Sequence, residues 1–545
     1  MVRRHLFTSA ALILILSGSA FAQKAADAAR TDDLIQQAVE RYTAGVEAAR
    51  AAQDAPGAPA VPLTLEDAVR RAIDSNLDMV VERLNPQTFD LSLAALRANY
   101  KPIATSRFGR QDNVRPPSSL LNPGSPNVST MTYNGGLTQN LAWGGGNLAL
   151  TFNNSRIDSN DLLANFNPQF NSSYLFSYTQ PLLRGFRIDQ TRQQMRTTQI
   201  SRDNSELNLK ARTTNTLAAV RSAYWDYVYS IEAVEVARQS LTLASKLLSD
   251  NKIRVEVGTM APMDVVQAEA EEATRQQTLT TATATMRTAE LSLKRLIVSG
   301  TNDPLWAQHI DPVDRPDFQS ATIDVAEAVR SALQERTDLQ IARNNFETNN
   351  VLLRSFRDET LPDVDAIVTY GAAGLGGTQY AFSGSGLDRT RTGIALLGGY
   401  NDALRTLFDR DYPNWQFALQ VNYPIGGNAA VAQAARSRLL IQQNQAQIRA
   451  SELAVATEVT NAALQVTNSA EALTTSRVAR DLSQRRLDAE MSRFEVGMYN
   501  NYQVVQAQRD LREAQTSELR ALLNYRKALV EFDRVQQAGS QSGAR

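Results

Sequence analysis

The chain has no cysteine among its 545 residues. Disulfides, thiolate metal sites, a cysteine nucleophile and an N-terminal lipidated cysteine are therefore excluded together. Histidine is almost as scarce. His5 and His309 are the only two, which leaves no basis for a histidine metal centre or a catalytic triad. Charge of either sign is not in excess, with 56 Lys and Arg against 57 Asp and Glu. Nothing in that balance points to nucleic acid or to a polybasic membrane anchor. No apolar run approaches the roughly 20 residues that a membrane helix needs. The longest candidates, such as Gly393 to Tyr400, are short and interrupted by glycine. Proline and glycine are missing from two long tracts, Arg187 to Lys252 and Ala429 to Glu495. An unbroken helix over either would be about 100 Å long at 1.5 Å per residue.

Motifs that would carry chemistry are equally lacking. Gly374, Gly376 and Gly377 lie close together, but no helix start follows to make a phosphate loop. Asp363 and Asp365 begin a strand and read as solvated or lumen-facing. Glu269, Glu271 and Glu272 read as an exposed helix face, and His309, in a proline-rich joint, as structural or solvated. No catalytic residue, cofactor or metal site is expected, and an enzyme is not the reading.

What the chain does contain is a copy of itself. Arg254-Val255-Glu256-Val257-Gly258, then Val265-Val266-Gln267-Ala268, returns as Arg493-Phe494-Glu495-Val496-Gly497, then Val504-Val505-Gln506-Ala507. Ala68, Ala72 and Asp78 are matched by Ala328, Ala332 and Asp338. The same register holds from Arg83/Arg343 through Asn85/Asn345 to Pro102/Pro362. A period of roughly 240 to 260 residues is far beyond the 20–50 of a solenoid. It means two internal repeats, each ordered helix, strands, long helix, turn, long helix. The first is assigned to 63–300 and the second to 321–535, with Pro304, Pro312 and Pro316 marking a joint at 301–320.

The N-terminus reads as an export signal over 1–22. Arg3 and Arg4 precede an apolar core from Ala10 to Leu16 and a small-x-small site at Ala20-Phe21-Ala22. Residues 23–62 read as an alanine-rich extension and a linker with Pro56, Pro59 and Pro62. Thr64 is the expected cap of a helix reaching about Tyr100, kinked or split at Pro86 and stopped by Pro102. Gln111 to Thr130 and Gly371 to Asp411 read as loops. Tyr133 to Asn153 reads as a hairpin turning at Gly144 to Asn147. The tail from Gln536 is expected to be disordered.

Two strands alternate cleanly. Tyr174, Phe176 and Tyr178 oppose Leu175, Ser177 and Thr179, while Trp415, Phe417, Leu419 and Val421 oppose Gln416, Ala418 and Gln420. Such strands suit a half-buried soluble sheet or a membrane barrel with apolar groups toward lipid. The export signal, and aromatics such as Tyr174, Tyr178, Trp415 and Tyr423 that suit a bilayer boundary, favour the barrel. So few strands cannot close a useful pore alone, so several chains must share one. On the helices, Leu439, Ala446 and Leu453, then Val459, Val466 and Leu473, trace a seven-residue seam of coiled-coil type. A periplasmic coiled-coil scaffold or adaptor without a barrel is the alternative.

In this order and duplicated, these features resemble the TolC-type outer membrane factor family, the exit ducts of efflux pumps and type I secretion. The marks are the helix starts at Leu65 and Val325, the stops at Pro102 and Pro362, the strand exits at Gln180-Pro181-Leu182 and Tyr423-Pro424-Ile425, and the paired Val-Gly turns. The resemblance implies a mixed α and β fold: outer membrane β-barrel strands plus a long periplasmic α-helical barrel, assembled as a homotrimer. Each chain would supply four strands of twelve. The hairpin at 133–153 would be an extra, extracellular element. Val257, Gly258, Thr259, Val496, Gly497 and Met498 would form the tip that meets a periplasmic membrane-fusion adaptor and, through it, an inner-membrane pump. At the aperture, Asp264 matches a gating carboxylate of the family. Tyr499 stands where its arginine partner is usual, Phe494 where a gating tyrosine is, and Gln503 and Gln506 where acidic rings select cations. Weaker cation selectivity than in relatives with acidic rings is the implied consequence.

Overall fold

The computed structural model describes residues 60–114, 127–161, 164–258, 260–315, 322–384, 390–425, 428–496, 498 and 501–538. The expected export signal and most of the expected linker lie outside them. The described residues form two compact units, each drawn from both repeats. The first takes the residues up to Leu84, Asn208–Asp338 and those from Glu452; the second takes Asn85–Leu207 and Leu339–Ser451.

A short strand, β1 (Val61–Leu63), precedes helices α1 (Leu65–Ser75) and α2 (Leu77–Ala98). Thr64 caps α1 by accepting the Asp67 N–H at 3.1 Å. The helix is split, but at Asn76 and not at Pro86. The Asn76 side-chain oxygen accepts the N–H groups of Asp78 and Met79 at 3.0 and 3.2 Å, and its amide donates to the Leu296 carbonyl at 3.0 Å. That side chain restarts the helix, while Pro86 is accommodated inside α2. Strands β2 (Ile103–Val114), β3 (Asn127–Asn140), β4 (Asn147–Ser159) and β5 (Phe166–Pro181) follow. Helices α3 (Gln190–Glu256) and α4 (Pro262–Ile297) complete the repeat, and α3 fills the first breaker-free tract.

The joint holds α5 (Pro304–Ala307) and β6 (Ile310–Pro312). β6 pairs in parallel with β1, Val61 opposite Ile310 and Leu63 opposite Pro312. The end of the expected linker is therefore part of a two-stranded sheet. Tyr224 and Tyr227 of α3 fasten that sheet, donating to the Leu63 carbonyl at 3.1 Å and the Ile310 carbonyl at 2.6 Å.

The second repeat contains α6 (Val325–Glu335), α7 (Thr337–Glu359), β7 (Asp363–Ser383), β8 (Thr390–Leu396), α8 (Tyr400–Asp409), β9 (Tyr412–Asn422), α9 (Ala429–Glu495) and α10 (Asn501–Gln537). α1 and α6, and β2 and β7, start at the offset read from the sequence. Ala68, Ala72, Ala328 and Ala332 are all buried, one pair in each copy. α10 runs past Val535 and Ala538 is fully buried, so order extends further than expected; 539–545 lie outside the described residues.

The larger sheet, in the second unit, is antiparallel throughout and ordered β2-β3-β4-β5-β7. Beyond β7, β9 pairs with its first half and β8 with its second. Three expectations change here. Of Gln111 to Thr130, both described ends are strand, since β2 reaches Val114 and β3 begins at Asn127; 115–126 lie outside the described residues. Gly371 to Asp411 is mostly regular, with 385–389 outside. Its glycines serve packing: a Cβ on Gly374 would lie 2.0 Å from the Ala403 carbonyl oxygen, and one on Gly376 2.5 Å from the Ala403 nitrogen. Only bare backbone lets α8 approach β7 so closely. Lastly, the hairpin β3–β4 is an integral part of the sheet. It is inserted between β2 and β5, paired along its length on both sides.

The hairpin turn sits at the end of the sheet where the chain passes from β5 to α3. Gly144 and Gly145 both have φ +68°. Gln180 donates its amide to the Gly144 carbonyl at 2.8 Å, and a Cβ on Gly145 would lie 2.6 Å from the Gly185 carbonyl oxygen. Trp143 meets Phe186 edge to face.

Candidate functional site

Two features can carry a function, the faces of the large sheet and the turns between the long helices. Across the sheet, residues directly opposite one another share a face. The register sets Ala104, Leu137, Leu150, Phe176, Tyr370 and Trp415 in one row across six strands. The row on the opposite face reads Ile103, Thr138, Ala149, Ser177, Thr369 and Gln416. Leu148, Tyr178, Val368 and Phe417 extend the apolar face, and Leu419 and Val421 continue it along β9. Most of these large apolar groups stand exposed, Trp415 at 78 %, while Leu148 and Tyr178 are half-buried. On β7 the apolar alternation runs from Val364 to Ala372, close to the 9–11 residues with which a tilted strand crosses a bilayer. Asp363 and Asp365 fall on the polar face, as expected.

At the far end of the apolar face, α8 lies against the sheet. Ala403 and Leu407 are buried over the glycines of β7. The Tyr400 hydroxyl donates to Asn154 Oδ1 at 2.9 Å, and its ring meets Tyr133 edge to face at 5.5 Å.

The turns belong to the first unit. Gly258 has φ +77°, a conformation glycine adopts without strain. Around it Val257, Met263 and Val266 are exposed. At the second turn Val496 and Met498 are exposed as well, at 70 % and 75 %. Thr259, Gly497 and Tyr499 lie outside the described residues. Asp264 is in the first turn of α4, where a carboxylate meets the positive end of the helix. Phe494 packs inside the helices against Leu247, Leu487, Val504 and Leu511. The Arg254 guanidinium sits 4.3 Å from the centre of its ring. Gln503 is half-buried. Gln506 donates to Asp510 at 2.8 Å, and Asp510 also accepts from Arg486 at 2.7 Å.

One cluster near the turns was misread from the sequence. Glu269 is exposed and pairs with Lys252 at 3.2 Å, as a surface face should. Glu271 is buried together with Arg275, four residues on, and the two form an ion pair. Arg509 of α10 donates to the same carboxylate at 2.5 Å. Burial alone would raise the Glu271 carboxyl, but the Arg509 hydrogen bond and the charges of both arginines hold it below its ordinary range. A second buried set ties α4 to the joint. Glu290 accepts from Lys294 at 2.9 Å and from the Ile310 N–H at 3.1 Å, with His309 beside it at 3.3 Å. His309 is thus structural. Among the described residues no group of three or more metal-ligating side chains occurs, and no helix is long and apolar enough to cross a membrane.

Residues 147–298 and 328–535, more than half of the chain, match the outer membrane efflux protein family. The chain belongs to that family. The match covers the latter part of the first repeat, nearly all of the second and both helix turns of this efflux protein, and makes it an outer membrane efflux channel. Solved structures agree on the fold. The Campylobacter jejuni CmeC outer membrane channel aligns at a TM-score of 0.62 with 13 % identity, covering 87 % of this chain and 85 % of that one. The Vibrio cholerae outer membrane protein VceC aligns at 0.60 with 13 % identity, covering 87 % and 96 %. The Neisseria gonorrhoeae MtrE outer membrane channel aligns at 0.58 with 16 % identity, covering 87 % and 89 %. No curated protein sequence matches. The expected mixed α and β architecture with two repeats is the one found. The family match begins at β4, so β2 and β3 of this efflux protein fall outside it.

Proposed function

We propose that the chain is the exit duct of a tripartite efflux pump or type I secretion system, a homotrimer that docks an inner-membrane pump through a periplasmic membrane-fusion adaptor. The observation that carries this reading is the separation of the large sheet into an apolar and a polar face along β3, β4, β5, β7 and β9. That separation is what a wall between lipid and a wet lumen requires. A soluble scaffold would leave the same apolar face in water.

In this reading the duct is passive and the partner pump supplies the energy. Substrate crosses the lumen by diffusion. Opening follows from adaptor binding that favours the open arrangement of the helix turns over the closed one. Val257, Gly258, Thr259, Val496, Gly497 and Met498 form the adaptor contact. The exposure of Val257, Val496 and Met498 supports this, because apolar groups in a polar helical surface suit a partner's helical hairpin. Asp264, Tyr499, Gln503 and Gln506 stand at the aperture, with Phe494 bracing it from within. Val431, Leu439 and Leu453 of α9 are exposed in the single chain, which suits helix packing between copies.

The test is extraction of outer membranes in detergent followed by particle imaging. A three-fold tube with a membrane cap is expected; a soluble rod without a cap would replace the duct with the scaffold. In the assembled protein, Thr259→Lys or Met498→Glu should abolish export while the trimer stays intact. Normal export in both variants would refute docking at the turns. With Gln503 and Gln506 uncharged, planar-bilayer reversal potentials should show weak cation preference.

A further inference from the structure

The inserted hairpin changes how many strands the barrel has. Each chain fills six strand positions in the order β2, β3, β4, β5, β7 and a sixth shared by β9 and β8. Among the described residues the outer edges of the two end positions have no partner strand, and nearly every residue of β2 and β9 is exposed on both faces. An unpaired edge cannot stand in hydrocarbon, because its N–H and C=O groups have no water to bond. Six strands are also too few to close on themselves, since the smallest membrane barrels have eight.

We infer that each edge is covered by a second copy of this chain, β9 of one against β2 of the next, and that the assembled barrel has eighteen strands. The inference rests on the trimeric duct reading; the strand number is its own.

Three observations support the pairing. First, the edges match in length, 12 residues in β2 and 11 in β9. Second, the strands alternate in direction across the sheet, so β2 and β9 run oppositely and their junction continues the antiparallel order. Third, the faces continue. Phe108 of β2 shares the face of the apolar row, as do Trp415 and Phe417 of β9, so a rotated copy keeps the two faces in phase. Pairing β2 with β2 about a two-fold axis would instead send the helices of the two copies to opposite ends.

The hairpin cannot be set aside to leave four strands. It is hydrogen-bonded on both sides, and its glycine turn is fitted against Gly185. Six positions in each of three copies make eighteen. With strands 4.8 Å apart and tilted by about 40°, the backbone cylinder is about 36 Å across, against about 24 Å for twelve strands.

The native sequence has no cysteine, so paired thiols can be introduced cleanly. Arg107→Cys or Gln111→Cys on the polar face of β2 would be combined with Gln416→Cys or Gln420→Cys on that of β9. Oxidation of at least one pair should give a covalent trimer on a denaturing gel. An electron microscopy map of the unsubstituted, detergent-extracted protein should show eighteen strands. A three-fold particle with twelve strands and 127–159 outside the wall would overturn the inference and leave the duct reading intact. A chain that forms no three-fold membrane particle would overturn the duct reading and the strand number with it.

Discussion

The two helix turns carry nearly the same sequence in different surroundings. Val265-Val266-Gln267-Ala268 follows the first turn and Val504-Val505-Gln506-Ala507 the second. Val505 is 3 % exposed and Val266 is 58 % exposed. The same contrast, inverted, holds one turn of helix further on: Glu271 is buried, while its counterpart Asp510 is half-buried and pairs with Arg486. Duplication copied the motif but not its neighbours. Each α-hairpin therefore has one position sealed inside the chain where the other leaves it open. Val266 is therefore apolar surface that its own chain leaves uncovered.

The comparison can be broken most strongly at the carboxylates. Glu271→Gln leaves Arg275 buried without its counter-charge and should cost about 3–5 kcal/mol, toward the lower end because Arg509 is half-exposed. Asp510→Asn should cost less than about 1 kcal/mol. Urea or thermal unfolding of the helical region measures both, and equal costs would remove the asymmetry. The same pair makes the turn acid-sensitive. Because the folded carboxyl titrates below its ordinary value of 4.5, its contribution is fully present above that pH. It is lost as pH falls through the lower folded value. Hydrogen exchange near α4 should accelerate there in the native protein and not in Glu271→Gln.

Next in size are the valines. Val505→Ala opens a cavity and should cost about 2 kcal/mol, while Val266→Ala in the isolated chain should cost less than about 0.5 kcal/mol. If Val266→Ala destabilises the assembled duct as much as Val505→Ala does, a second copy covers the first turn. If instead it weakens only adaptor binding, the adaptor covers it. The turn itself is the third place to probe. Gly258→Ala meets nothing within 4 Å, so it should cost only the backbone strain of φ +77°, about 1–2 kcal/mol.

The helices were legible because their signals are local and repeated. Two breaker-free tracts became α3 and α9, and the offset from Ala68 to Ala328 became matching helices. Thr64 capped where its hydroxyl predicted. The sheet was legible only where alternation was strong, as in β5 and β9. Gly374 and Gly376 read as loop because glycine in sequence does not reveal that a helix will press on it. The hairpin was visible at Gly144 to Asn147, but its place was not, since insertion between β2 and β5 is a matter of pairing partners. Glu271 was misread because Arg509, its partner across the repeats, is 238 residues away. The Val-Gly turns, by contrast, announced themselves twice.

The hairpin has a consequence for how such a protein can change over generations. From α2 to α3 the chain crosses the sheet four times, and from α7 to α9 twice. Both numbers are even, so each repeat comes back to the end from which it set out. A single added strand would turn everything downstream end for end, and no point mutation could repair it. A pair of strands leaves the later helices pointing as before. Parity is then an inherited rule for this architecture: the sheet can grow or shrink by hairpins while the helical machinery stays blind to the change.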